Sequence, residues 1–154
     1  MDLSSILRPD AVKVISETSS KKRLFQRLGD AAASAYGLDS ETAVEALLER
    51  ESLGPTGVGN GIALPHARMN GATGVTGVFF KLERALDFDS VDRQPVDLVF
   101  ALFAPEDAGV EHLKALALIS RTMRDSSVCS KLRANGDPTT LHTVLTEGVS
   151  PKAA

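Results

Sequence analysis

A lone histidine closes a glycine-rich run that also carries a guanidinium and a hydroxyl. The run reads Arg50-Glu51-Ser52-Leu53-Gly54-Pro55-Thr56-Gly57-Val58-Gly59-Asn60-Gly61-Ile62-Ala63-Leu64-Pro65-His66. Imidazole is the side chain whose ordinary charge change lies nearest neutral pH. Its neutral nitrogen is a good nucleophile toward phosphorus. A phosphorylated imidazole carries added negative charge and three acceptor oxygens, so it needs donors around it. Suitable donors are backbone amides in a nest, a hydroxyl and a guanidinium. The segment holds all three types. Gly57, Gly59 and Gly61 can expose amides to a close ligand, Thr56 has a hydroxyl, and Arg50 has a planar fork suited to phosphoryl oxygens. The pattern alone leaves a second reading open, in which the glycines only make a tight turn at a strand end.

Two nucleotide-binding motifs do not fit. A dinucleotide fingerprint needs G-x-G-x-x-G opening a helix. Counted from Gly57 the last position is Ile62, and counted from Gly59 it is Leu64. Pro65 also argues against a helix there. A P-loop needs Gly-Lys-Ser or Gly-Lys-Thr after its glycines, and the run has neither.

The elements that must position this segment can be read from caps and periodicity. Val12-Lys13-Val14-Ile15 is a short β-branched run and predicts a strand. Thr18-Ser19-Ser20 offers N-caps for a helix from Lys21 to Tyr36, with Gly37 as its stop. Leu24, Leu28, Ala31, Ala32 and Ala35 form its apolar stripe. Asp39 or Ser40 caps a second helix, in which Val44, Leu47 and Leu48 share a face. That helix must fail near Gly54-Pro55. Val75 to Leu82 and Val96 to Ala104 are candidate strands. The second is nearly continuous apolar apart from Asp97, as in a strand covered on both faces. Phe88 to Pro95 is turn-rich. A third helix starts around Gly109 to Glu111, with Leu113, Leu116, Ala117, Ser120 and Met123 expected on its inner face. Val128 to Ala134 and Thr139 to Thr146 read as short helices, and residues 148–154 as a frayed tail. Helices around a central group of strands predict an α/β layered domain, one domain over residues 1–154.

Bulk properties exclude several classes. The chain has 154 residues, of which 43% are hydrophobic, enough for one sizeable core. Its 17 basic and 20 acidic residues give a net charge of −3, so nothing pulls it toward nucleic acid. No apolar run approaches the ~20 residues of a membrane span. Met1-Asp2-Leu3-Ser4-Ser5 lacks the basic and apolar regions of a secretion signal. The single cysteine, Cys129, cannot form an internal disulfide. These features favour the cytoplasm.

The long run resembles the phosphorylated-histidine signature of the fructose/mannitol-type enzyme IIA domains of the phosphoenolpyruvate-dependent sugar phosphotransferase system, above all the nitrogen-regulatory branch. The family pattern is roughly R-E-x-x-G-S-T-G-x-G-x-G-I-A-x-P-H. Arg50-Glu51, Gly54, Thr56-Gly57, Gly59, Gly61-Ile62-Ala63 and Pro65-His66 match it. Phe88 to Leu98 is similar to the family's F-D-x-x-D-x-Q-P-V-D-L segment, and His112-Leu113 to its second His-Leu pair. The likeness covers almost the whole chain. It implies a central mixed sheet flanked by helices.

By this resemblance His66 is the phosphoryl acceptor and His112 lies beside it, orienting its ring or donating to the phosphoryl group. Arg50 stabilises that group. Pro55 stands where the family usually has serine, which removes a hydroxyl and an amide; Thr56 and the amides of Gly57, Gly59 and Gly61 are then expected to carry the phosphoryl contacts. The implied donor is an HPr-like histidine phosphocarrier, and this chain needs no cofactor and no metal. The implied output is control of target proteins according to phosphorylation state, as with the potassium-transport and stress-signalling partners of related proteins. The alternative is a sugar-transport enzyme IIA that hands its phosphoryl group to a separate IIB subunit. No IIB or membrane domain follows within the sequence, which favours the regulator. A third reading, a metal hydrolase using His66, His112 and a carboxylate, lacks the H-E-x-x-H type of spacing. His142 has no supporting context and reads as a surface residue. Asp89, Asp92 and Asp97 read as turn-capping groups, and Cys129 as a small buried or semi-buried residue.

Overall fold

Caps set the helices of the N-terminal half. The Ser20 side chain accepts from the Arg23 amide to start α1, Lys21–Tyr36, and Gly37 ends it in the left-handed region at φ 72°. The Asp39 carboxylate accepts from the Thr42 amide to start α2, Ser40–Ser52. In a computed structural model, residues 1–147 are described, and the tail expected over 148–154 lies outside them. Leu24, Phe25, Leu28, Ala31 and Ala32 bury one face of α1, and Ala43 and Leu47 one face of α2.

These helices flank a six-stranded mixed sheet built from β1 Val12–Ile15, β2 Gly57–Gly59, β3 Ile62–Ala63, β4 His66–Met69, β5 Thr76–Leu86 and β6 Val96–Pro105. The order is β1-β5-β6-β3-β2, with β4 also paired to β6. β1 runs parallel to β5, β5 antiparallel to β6, and both β3 and β4 parallel to β6. β6 is thus the central strand. Residues 98–104 are all buried while Asp97 is half-exposed, which matches a strand covered on both faces.

Three helices complete the domain: α3 Val110–Arg124, α4 Ser126–Ala134 and α5 Pro138–Glu147. The inner face of α3 differs from the sequence expectation. His112, Ala115, Ile119, Thr122 and Met123 are buried, whereas Leu113 is 61% exposed and Ala117 is exposed. Apolar residues lie all round this helix, so periodicity alone does not choose its face. Packing chooses it, with Ile119 and Met123 in the core and His112 turned inward. His142 also differs: it is half-buried, with Nε2 2.9 Å from the Leu7 carbonyl. It ties α5 to the N-terminal segment, whose Leu3, Ile6 and Leu7 are core residues.

Candidate functional site

The glycine-rich run folds as a tight hairpin followed by an interrupted strand. β2 pairs antiparallel with β3, with Asn60 and Gly61 at the turn. Asn60 at φ 58° and Gly61 at φ 78° are both left-handed, as a two-residue hairpin turn requires. β3 and β4 follow one another along the same edge of β6, where Ile62 faces Leu98 and His66 faces Leu102. Leu64 and Pro65 break the ladder between them. Proline has no amide hydrogen to donate. The Pro65 carbonyl still accepts from the Leu102 amide, while the Leu64 carbonyl meets a side chain instead.

That side chain is His66. Its Nδ1 lies 2.8 Å from the Leu64 carbonyl oxygen. A carbonyl can only accept, so Nδ1 carries the proton and Nε2 keeps the lone pair. Burial pushes the His66 pKa below its usual value; the Leu64 bond raises it, nearby Arg50 lowers it and Glu51 raises it. The ring is therefore neutral at neutral pH. His112, in the first turn of α3, stands edge-on to it with ring centroids 5.8 Å apart and planes at 63°. Burial lowers the His112 pKa as well, followed by the effects of His66 and Arg68. Its Nδ1 is buried without a hydrogen-bond partner among the described residues. Orphaned buried N–H groups are rarer in proteins than under-satisfied acceptors, which favours the tautomer with the proton on Nε2. β6 positions both rings: His66 pairs beside it, and α3 follows it after the loop of residues 106–109.

The two histidines open onto a cavity of about 330 Å³ lined by Ala46, Glu49, Arg50, Leu53, His66, Ala67, Arg68 and His112. Arg50 is held at the end of α2, where its Nη1 donates to the Gly54 carbonyl at 3.0 Å. The structure thus brings together His66, His112 and Arg50, the three residues that the resemblance singles out. The other expected contacts differ. Thr56 is buried, and both of its donors go to Glu51: the hydroxyl at 2.6 Å from Oε1 and the amide at 3.0 Å from Oε2. Gly57, Gly59 and Gly61 do not line the cavity but pack against the loop after β5 and against α4. A Cβ on Gly57 would strike Ser90, and one on Gly59 would meet the Asp92 carboxylate. One on Gly61 would sit 2.7 Å from Arg133 Nη2 and 2.8 Å from Asp97 Oδ1. These glycines are small because the backbone packs closely there.

Two residues carry more than the sequence reading assigned them. Glu51 is a largely buried carboxylate that binds Thr56 and also pairs with Lys21 Nζ at 2.8 Å. Lys21 in turn lies 4.4 Å over the Phe88 ring, so α1, α2, the motif and the loop after β5 meet at one point. Arg68, two residues beyond His66 on β4, shares its face. Among the described residues, no group of three or more His, Cys, Asp or Glu could hold a metal ion. No helix among them is long and apolar enough to cross a membrane.

Comparison with known proteins places this geometry. The model of the family described as phosphoenolpyruvate-dependent sugar phosphotransferase system, EIIA 2, matches residues 5–148. The chain belongs to this EIIA family. It is 43% identical over 145 residues to a nitrogen regulatory protein of Bradyrhizobium diazoefficiens, covering 94% of this chain and 95% of that one. It is 39% identical over 155 residues to a nitrogen regulatory protein of Klebsiella oxytoca, covering 100% and 96% of the two. Among solved structures, the nitrogen regulatory protein IIA-Ntr of Neisseria meningitidis superposes with a TM-score of 0.85 at 34% identity, covering 93% of this chain and 98% of that one. The EIIA fold is therefore the one the resemblance implied, a mixed sheet flanked by helices.

Proposed function

We propose that this EIIA chain is a phosphoryl-relay regulator that accepts a phosphoryl group on His66 Nε2 and controls target proteins by its phosphorylation state. The observation that carries the reading is the bond from His66 Nδ1–H to the Leu64 carbonyl, which leaves a neutral ring with its Nε2 lone pair free. The donor is an HPr-like phosphohistidine carrier in the cytoplasm. Nε2 attacks phosphorus in line, and the donor's P–N bond breaks with its electron pair returning to the donor nitrogen. The donor ring, protonated on its other nitrogen, leaves as neutral imidazole. His66 keeps its Nδ1 proton, so the product is an imidazolium whose ring charge is stabilised by the Nδ1–H bond to the Leu64 carbonyl. Positioning and electrostatics do most of the work in such a transfer. Arg50 offers its unengaged guanidinium N–H groups to the phosphoryl oxygens, and His112 offers Nε2–H. With both of its donors on Glu51, Thr56 serves by holding the turn after Arg50, and the glycines by letting the hairpin pack.

The phosphoryl oxygens carry about 1.5 to 2 negative charges near neutral pH, of which the imidazolium ring offsets one. They do so on a surface where Leu53 is 81% exposed, Leu113 61% and Val110 62%, which gives a target protein a surface whose charge switches. The nitrogen-regulatory names of the relatives support the regulator over the transporter. Incubation with phosphoenolpyruvate, enzyme I and the carrier should place one phosphoryl group on His66, mapped by mass spectrometry at neutral or mildly basic pH. His66→Ala should abolish labelling; full labelling of that variant would overturn the reading. Efficient passage of label to a fructose-type IIB domain would instead support the sugar-transport role.

A further inference from the structure

We propose that Arg68 is a second guanidinium for the phosphoryl group on His66, so that the group is clamped between Arg50 from α2 and Arg68 from β4. The inference rests on the reading of His66 as the acceptor. Three observations carry it. First, a strand alternates its faces, and β4 obeys this: Ala67 and Met69 are buried, while His66 and Arg68 face outward together. Arg68 therefore stands beside the acceptor ring on the cavity wall. Second, Arg68 makes no side-chain hydrogen bond or ion pair among the described residues; it shares this with Arg93, Arg121 and Arg124, none of which lines the cavity, and differs from Arg50, which holds the Gly54 carbonyl. All five of the Arg68 guanidinium N–H groups are available. Third, the cavity holds two guanidiniums against the single carboxylate of Glu49, with both histidines neutral. Arg68 is close enough to His112 to depress its pKa, which sets its charge within reach of the second ring.

The geometry also answers where the donors come from once Pro55 offers no amide and Thr56 has given both of its donors to Glu51. A phosphoryl group has three peripheral oxygens. Arg50, Arg68 and His112 approach from three different elements, α2, β4 and α3, and supply at least one donor for each oxygen. Two guanidiniums are charge-assisted donors matched to phosphoryl oxygens. They act both on the transferring group and on the stored phosphohistidine.

The test compares the parent with Arg68→Gln and Arg68→Lys, using two donors. One is the phosphorylated carrier protein. The other is phosphoramidate, whose P–N bond breaks with the electron pair leaving on ammonia and which has no protein surface to dock. The expected result is that Arg68→Gln accepts phosphoryl about tenfold or more slowly from both donors. Its phosphohistidine should also hydrolyse faster at neutral pH, with Arg68→Lys in between. Because the side chain is exposed, the melting temperature should not change. Slowing with the carrier alone would make Arg68 a docking residue and overturn the clamp. Unchanged rates and lifetime would overturn it as well. A parent chain that takes no label on His66 would overturn the acceptor reading itself, and the clamp with it, whatever Arg68→Gln does.

Discussion

A neutral imidazole pinned at Nδ1 makes a prediction about pH. As the proposed acceptor, His66 needs its Nε2 lone pair, and burial holds its pKa below the ordinary histidine value. Acceptance should therefore stay flat through neutral pH and fall only on the acid side, as measured by initial rates of carrier-driven labelling. The same shift bears on stability. A histidine with a depressed folded pKa stays neutral in the fold while the unfolded chain takes up protons first. Its contribution is fully present above the unfolded value and is lost as pH falls through it toward the folded one. His66 and His112 both act in this sense. The urea midpoint should drop between pH 7.5 and pH 5.5, and the double variant His66→Gln/His112→Gln should show a smaller drop; an equal drop would reject the account. His112→Ala alone should slow transfer or shorten the life of the phosphohistidine without abolishing labelling. Arg50→Lys should lose rate although it keeps its charge, because an ammonium cannot hold the Gly54 carbonyl and a phosphoryl oxygen in one planar fork.

At the scale of elements, the motif is held by one buried carboxylate. Glu51→Ala would leave Lys21 and two Thr56 donors without their acceptor. Removing one side of such a network costs about 3 kcal/mol, and denaturant unfolding should register it. None of this pairing was visible beforehand, because a sequence does not say which side chains meet. What sequence did reveal follows strong local signals. Ser20, Gly37 and Asp39 mark their helix ends through caps, and β1 and β6 announce themselves by β-branched and apolar runs. β2, β3 and β4 escaped notice because strands of two to four residues, two of them ending beside glycine or proline, are too short to show alternation. The role of Arg68 escaped with them, since its face is fixed only by the pairing of β4 with β6. The proposed acceptor His66 and its neighbours His112 and Arg50 could be named because family likeness aligned them residue by residue; the Glu51 carboxylate that takes both Thr56 donors and the distant Ser90, Asp92, Asp97 and Arg133 that crowd the glycines could not, because no local pattern marks side-chain pairing.

Across the whole molecule, the N-terminal segment closes the fold. Tyr36 Oη accepts from the Arg8 amide and donates to the Gly77 carbonyl at 2.7 Å, while the Gly77 amide donates to Ile6. With His142 bound to Leu7, this joins α1, β5 and α5 through one segment. Deleting residues 1–8 removes the buried Leu3, Ile6 and Leu7, each worth roughly 1.5 to 3 kcal/mol of burial, and uncovers the core they pack on. The melting temperature should fall sharply even though no deleted residue lines the His66 cavity. The central strand has a different consequence. β6 carries His66 at its side and leads into His112 through the loop of residues 106–109, so one rigid rod and one short tether act as a ruler between the two rings. Ala108 and Gly109 sit at the surface end of that tether, and a Cβ on Gly109 meets nothing within 4 Å. Lengthening it residue by residue would turn ring spacing into a dial, through which an engineer could set how long the domain remembers that it was phosphorylated.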